Sequence, residues 1–440
     1  MIENSLDTRV FPFFNKQGTE YIYSGLSGLI LEYDELVKEA VSESGKASDE
    51  IYDYIFSDPF VNTDFTFFEE EPFIDTLTIF TTNQCNLNCS YCFEKVNQID
   101  KSLRMDIKTF RDGINFFISN FTYDSVINIA FFGGEPLLNF HFMKEAVDFL
   151  EEIEKRNKVK FTYCVTTNGT LLNQKEIADF LISNDFNVTI SIDGNQKEHD
   201  KNRHFLNGNG SYQMITQNVK ELSKYMDITA RTTITSPHTD FVALYEDLHS
   251  TGVKGIILDF VSAKDKYKKE DYEALAENLK AFADYCIDNI KQKKVIRIKN
   301  FLETLHSIHY GSRNGPKYFP CEAGVSYYSL VPGGDIYPCH RFNNVKEYWY
   351  GNIYESFNND RRREFSSSHM VFVRNAGKCM DCWAKYLCGG TCYNAAYYSE
   401  GDSILNSEIH CDFKREIIKS CLYIYASLNE NDRVFLDNIL

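Results

Sequence analysis

Three cysteines stand close together early in the chain, in Cys85-Asn86-Leu87-Asn88-Cys89-Ser90-Tyr91-Cys92, with three and then two residues between them. Thiolates gathered in one loop hold soft metals or iron–sulfur clusters. A four-iron cubane takes four ligands, so three cysteines leave one iron free for another molecule. A zinc site is the competing chemistry, although zinc favours paired C-x2-C units and a fourth ligand. A second set lies far downstream: Cys321, twelve residues, Gly334, four residues, Cys339, then Cys379-x2-Cys382-x5-Cys388-x3-Cys392 and Cys411. On spacing alone, C-x2-C-x5-C fits a zinc-ribbon fragment as well as a cluster site. Cys164, in an apolar run, and Cys286 and Cys421, on helical stretches, read as core residues.

Between the two sets lie Phe132-Gly133-Gly134-Glu135-Pro136, Thr166-Thr167-Asn168-Gly169, Ser191-Ile192-Asp193-Gly194 and Arg203. Paired glycines let a backbone approach a ligand closely. Taken singly, each stretch is an ordinary turn, and Arg203 an ordinary solvated side chain. What they share is position. Apolar, β-branched runs at 76–82, 126–132, 160–166, 187–192, 228–235 and 255–261 read as strands. Amphipathic helices are expected near 106–120, 141–156, 174–184, 213–225, 240–250 and 269–292. Six such units in succession imply an α/β fold, a parallel sheet half-closed into a partial (β/α)6 barrel over 75–310. Ligands of such barrels gather at the C-terminal ends of the strands. The three-cysteine loop follows the first strand, and the polar stretches follow the second, third and fourth.

The flanks differ. Residues 1–74 read as short strands around 10–14, 21–23 and 29–31, then helices over 35–44 and 50–57, a small α+β domain. Residues 311–415, rich in Gly, aromatics and Cys, read as an irregular metal or cluster domain, and 416–440 as a C-terminal helix. A chain of 440 residues suits two to three domains. Its net charge of −17 argues against a nucleic-acid partner. No run approaches the ~20 apolar residues of a membrane span. The N-terminus lacks a basic stretch followed by an apolar one, so a cytoplasmic location is expected, where thiols stay reduced.

The motifs together resemble one family. C-x3-C-x2-C with flanking Tyr91 and Phe93, Gly-Gly-Glu-Pro, and S-x-D-G with an Arg twelve residues after the Ser resemble the radical S-adenosylmethionine (radical SAM) enzymes. In that family the open iron binds S-adenosylmethionine, which is split into methionine and a 5′-deoxyadenosyl radical. The resemblance implies that Cys85, Cys89 and Cys92 hold the first cluster. It implies cofactor contacts from Gly133, Gly134 and Glu135 to the amino group, and from Ser191 and Arg203 to the ribose and carboxylate. The Tyr91 backbone would lie near the adenine, and Asn168 and Asp193 belong to the same set.

The seven-cysteine order resembles the SPASM extension of peptide- and protein-modifying members. That implies two auxiliary clusters, a nearer one on Cys321, Cys339 and Cys392 and a farther one on Cys379, Cys382, Cys388 and Cys411, hence three 4Fe–4S clusters in all. Two cubanes need eight ligands and seven are offered, so the nearer has an open iron or takes His340, Glu322 or a substrate thiolate. The N-terminal layout looks like the winged-helix-like leader-peptide recognition domains. The whole then resembles the thioether-forming (sactipeptide/ranthipeptide) maturases. The expected partners are a precursor peptide with a leader and a flavodoxin- or ferredoxin-type electron donor. A formylglycine-forming sulfatase maturase, a carbon–carbon cross-linking maturase and a non-enzymatic zinc scaffold are the alternatives. No general base stands out among Asp193, Glu135 and Asp259.

Overall fold

The computed structural model describes residues 7–41, 49–60, 71–236, 238–261, 269–311, 316–406 and 408–440. Strands β1 (Val10–Phe14), β2 (Glu20–Ser24) and β3 (Ile30–Glu32) form an antiparallel meander. Its first turn is made by Asn15, whose Oδ1 accepts from the amides of Gln17 and Thr19, with Gly18 at φ 84°. Helices Glu35–Val41 and Asp49–Phe56 follow, and Val37, Ala40, Val41 and Ile55 bury with Val10 and Ile22 in a core of their own. The expected continuation of the first helix over 42–44 lies outside the described residues.

The large sheet contains β4 (Thr76–Thr82), β5 (Val126–Gly133), β6 (Lys160–Thr167), β7 (Asn187–Ser191), β8 (Ile228–Ile234) and β9 (Gly255–Phe260), all parallel and in sequence order. Alternation sets their two faces. Ile127, Ile129 and Phe131 of β5 are buried, whereas Asn128, Ala130 and Phe132 are half-buried on the other face. Helices Ile107–Asn120, Phe140–Arg156, Lys175–Ser183, Tyr212–Leu222 and Phe241–Ser250 connect the strands. Their apolar stripes join the core that holds β5's buried set. Asp106 and Asp240 cap two of them through the amides of Thr109 and of Val242 and Ala243.

Cys164 departs from the expected core position. It is half-buried, on the face of β6 that also carries the exposed Thr162 and the half-buried Thr166, and its sulfur accepts from Asn128 Nδ2 at 3.5 Å. The apolar look of the run comes from its other face. Cys286 and Cys421 are buried.

The C-terminal segment is less separate than its composition suggests. Strands β10 (Tyr327–Leu330), β11 (Asp335–Tyr337) and β12 (Gly351–Asn352) join the barrel sheet, with β10 parallel to β4. The order is β12-β11-β10-β4-β5-β6-β7-β8-β9. In place of one C-terminal helix over 416–440 there are two, Glu408–Ala426, which carries Cys411, and Glu430–Leu436. The small N-terminal sheet rests on the loop between Cys382 and Cys388. Phe11 stacks on Trp383 at 4.3 Å, the Trp383 amide donates to the Thr8 carbonyl, and Lys385 pairs with Asp58 at 3.1 Å. Gly25 passes so close that a Cβ there would lie 2.1 Å from the Trp383 carbonyl oxygen.

Candidate active site

A cavity of about 930 Å³ opens at the C-terminal ends of the strands. Cys85, Cys89 and Cys92 line it, with Gly133, Gly134, Asn168 and Ser191 beside them and Asp259, His340 and Arg341 farther round. The cysteine loop is fastened along its length. The Asn88 amide donates to the His204 carbonyl (2.8 Å) and the Ser90 amide to that of Asn202 (2.9 Å). Asn168 Nδ2 donates to Asn86 Oδ1, and Asn86 Nδ2 to Thr170 Oγ1, both at 2.8 Å. Burial pushes the Cys85 thiol up to about 12 and raises those of Cys89 and Cys92. Bound iron is what would make such thiols ionise. Among the described residues no three His, Cys, Asp or Glu side chains close on a single-ion site. A cubane spreads its ligand sulfurs more widely than one ion does, and three thiols bordering one cavity fit it.

Gly133 and Gly134 are demanded by the chain itself. Gly133 has φ 142°, and a Cβ on it would sit 2.2 Å from the Thr82 carbonyl oxygen; one on Gly134 would sit 2.3 Å from that of Gln84. The strand end thus crosses the exit of β4, with the amides of Gly134 and Glu135 donating to those two carbonyls. Glu135 is fully buried. Its Oε1 accepts from Thr167 Oγ1 (2.7 Å) and the Leu137 amide (3.1 Å), and its Oε2 from the Asn168 amide (2.7 Å). Burial lifts its pKa to about 7 against these donors. Its carboxylate ties the end of β5 to that of β6 behind the cavity wall.

Asp193 plays a comparable part. One oxygen accepts from the Thr233 amide (2.9 Å); the other takes Arg203 Nε (2.9 Å) and the Tyr91 hydroxyl. The Arg203 guanidinium lies 5.2 Å over the Tyr91 ring. Arg203 is therefore buried and aimed, with the side chain just before Cys92 beneath it. Behind it, His199 Nδ1 accepts from the Asp193 amide, so its Nε2 carries the proton toward Ser211 Oγ (2.9 Å), which donates to the Arg203 carbonyl. Burial drops His199 to about 4, which keeps the ring neutral. Neither His199 nor the clamp at Asn202–His204 was legible from the sequence. The Asn195 N-cap of helix Gln196–Asn202 is the local signal that a helix starts there.

Asp259, at the end of β9, accepts from Arg231 (2.6 Å) and from Arg341 of the C-terminal segment. Burial works against its ionisation, but Arg341 and Arg231 together hold it well below the usual carboxylate range. His340 Nδ1 meets the Tyr327 hydroxyl at 2.6 Å, and Thr78 Oγ1 donates to that hydroxyl. Glu322 is exposed. None of the three possible bases offers a free carboxylate: Glu135, Asp193 and Asp259 all hold structural partners.

The seven later cysteines fall into two groups. Cys321, Cys339 and Cys392 are near enough to feel one another's charge. So are Cys379, Cys382, Cys388 and Cys411. Burial raises the thiols of Cys379 to about 11 and of Cys411 to about 12, and Asn406 Nδ2 donates to Cys379 Sγ at 3.0 Å. The donor chemistry, seven soft sulfurs, suits iron–sulfur clusters.

Comparison with known proteins agrees with this geometry. Residues 79–248 match the model of the radical SAM superfamily. An uncharacterized protein of Methanocaldococcus jannaschii is 33% identical over 265 residues, 60% of this chain and 84% of that protein. A cysteine-type anaerobic sulfatase-maturating enzyme of Clostridium novyi is 28% identical over 350 residues, 71% of this chain and 85% of its own. Among solved structures, native anSMEcpe with bound AdoMet superposes with a TM-score of 0.68 at 21% identity, covering 83% of this chain and 100% of that one. SuiB of Streptococcus suis bound to precursor peptide SuiA gives a TM-score of 0.55 at 15% identity, covering 92% and 99%. The chain belongs to the radical SAM superfamily. It is an enzyme related to sulfatase maturases and peptide maturases, and the family implies a 4Fe–4S cluster and S-adenosylmethionine at the cavity.

Proposed function

We propose that this enzyme forms thioether links between a Cys sulfur and a carbon in a ribosomally made precursor peptide. The observation that carries the reading is the docked N-terminal sheet, whose edge strand β3 pairs only with β2 among the described residues. An open strand edge can take up an extended leader. The SuiB neighbour is bound to a precursor peptide, which supports a peptide substrate. In this reading residues 1–74 recognise the leader, 75–310 hold the reaction and 311–415 hold two further clusters.

When bound at Cys85, Cys89 and Cys92, the cluster and S-adenosylmethionine supply a 5′-deoxyadenosyl radical that removes a hydrogen atom. The chain's own groups bind and orient. Gly133, Gly134 and Asn168 form one side of the cofactor's seat, Ser191 and the aimed Arg203 the other, with Tyr91 beneath Arg203. Asp193 and Glu135 fix these groups in place. Cys321, Cys339 and Cys392 hold the nearer auxiliary cluster and Cys379, Cys382, Cys388 and Cys411 the farther. Each link removes one hydrogen atom from carbon, one proton from the thiol and one electron, which must leave the peptide. A flavodoxin- or ferredoxin-type donor in the cytoplasm would supply the reducing electrons.

The relative from Clostridium novyi supports a second reading, conversion of a Cys to formylglycine. Mass spectrometry of a candidate Cys-bearing precursor peptide co-expressed with the enzyme separates the two. A loss of about two hydrogens per link together with loss of an alkylatable thiol is the expected outcome. A product aldehyde trapped by a hydrazide would replace the thioether reading with the second. Alanine at Cys85, Cys89 or Cys92 is expected to abolish S-adenosylmethionine cleavage, and alanine at Cys321 or Cys339 to leave cleavage without peptide product. Retained product in the latter pair would remove the auxiliary site from the chemistry.

A further inference from the structure

Arg374 is completely buried, yet among the described residues no carboxylate lies within ion-pair distance of it. Its Nη1 donates to the Thr391 carbonyl, and its Nη2 to those of Ser403 and Leu405 at 3.2 Å each. The guanidinium lies 4.8 Å over the Tyr393 ring. Among the described residues its Nε has no partner, and neither has the buried hydroxyl of Tyr393. Gly390 makes room for it: φ there is 105°, and a Cβ would lie 2.5 Å from Arg374 Nη1. His369 nearby is held neutral by burial. Three carbonyls and an aromatic face do not neutralise a buried cation, and an uncompensated one is costly.

Besides the Tyr393 phenol, the groups whose charge reaches it are cysteines. Arg374 feels Cys379, Cys388 and Cys392, and Cys321 feels it in turn. These cysteines belong to both groups. Thr391, whose carbonyl it holds, lies in the three-residue loop between Cys388 of one group and Cys392 of the other.

We propose that Arg374 is the shared counter-ion of both auxiliary clusters, a positioning residue that compensates their negative charge and eases their reduction. This rests on reading the seven cysteines as ligands of two clusters. Thiolate-ligated cubanes are anionic, and nearby charge and hydrogen bonds set their potentials. Reduction adds one more negative charge, so a fixed cation favours the reduced form. The two unpartnered donors, Arg374 Nε and the Tyr393 hydroxyl, are then available to cluster or cysteine sulfur.

The test uses the full chain with Cys85, Cys89 and Cys92 replaced by alanine, so that only auxiliary clusters contribute, anaerobically reconstituted and titrated with redox mediators under EPR. At the parent's midpoint, R374Q is expected to lower the ratio of reduced to oxidised cluster about tenfold, equivalent to about 59 mV for one electron, in both signals. R374K, which keeps the charge, should stay near the parent. Midpoints unchanged in R374Q, or moved for one cluster only, overturn the shared role. Where R374Q takes up no iron, R374K decides: parental iron content and potential support the counter-ion, and a loss equal to that of R374Q overturns it. A parent that binds no auxiliary iron overturns the cluster reading itself, and this proposal with it.

Discussion

At the scale of single residues, the polar motifs build the wall as much as they face the ligand. Glu135 accepts from three donors, two of them backbone amides. In E135Q an amide NH2 must face one of those N–H groups, leaving a buried donor unmatched. A loss of about 1–3 kcal/mol is expected, read as a lower Tm of the iron-free chain; an unchanged Tm would mean that the carboxylate does not hold β5 to β6. His199 gives a pH signature. Its folded value, depressed to about 4 by burial against an ordinary 6.5, means the unfolded chain takes up a proton first as pH falls. The stability it confers is full above pH 6.5 and is lost progressively down to about pH 4, on the order of 3 kcal/mol in all. Urea midpoints across that window should fall less steeply in H199N; parallel slopes would dismiss the effect. The first cysteine loop was legible because Cys85, Cys89 and Cys92 sit close together in sequence. The roles of Glu135, Asp193 and His199 were not, since their partners lie on other strands and turns.

At the scale of elements, the strands and helices of the barrel were legible to within a few residues, because each buries one face and repeats its period. The strands added by the C-terminal segment were not. Tyr327–Leu330 and Asp335–Tyr337 are too short to show a period, and it is pairing with β4 and β11 that makes β10 a strand. Helix Gln196–Asn202 was likewise hidden, since its sequence, QKEHDKN, has no apolar stripe. The short edge strand β3 carries a prediction. The Tyr33 amide donates to Glu20 and the Ser24 amide to Leu29, so alternation turns the amides of Ile30 and Glu32 outward. E32P removes an outward donor without touching the β2–β3 ladder. We expect its KM for a leader-bearing peptide to rise at least about tenfold, worth ~1.4 kcal/mol, with kcat and S-adenosylmethionine cleavage retained. An unaltered KM would move leader recognition away from this edge.

At the scale of the whole molecule, the C-terminal segment is fastened at both margins of the half-barrel. Strand β10 pairs with β4 at one margin, and Arg341 reaches Asp259 at the end of β9 at the other. The stretch that follows Cys339 therefore brings His340 and Arg341 to the cavity. Asn97 and Asn394 both donate to the Arg341 carbonyl (3.0 and 2.9 Å), and Phe413 stacks on Phe260 at 4.4 Å. The Asp259 latch combines one carboxylate with two guanidiniums, so D259N leaves two part-buried cations facing each other. Losing the charge-assisted bonds should weaken closure on the order of 2 kcal/mol, roughly a thirtyfold change in the ratio of closed to open mouth. Because the apolar core shared by the sheet and the C-terminal segment is untouched, D259N should fold and bind iron as the parent does. It should instead release more 5′-deoxyadenosine per peptide product, and residues 339–342 should exchange amide hydrogens faster. High salt should reproduce part of the effect in the parent by screening the latch. Parental exchange at 339–342 in D259N would show that β10 and the two asparagines alone keep the mouth shut.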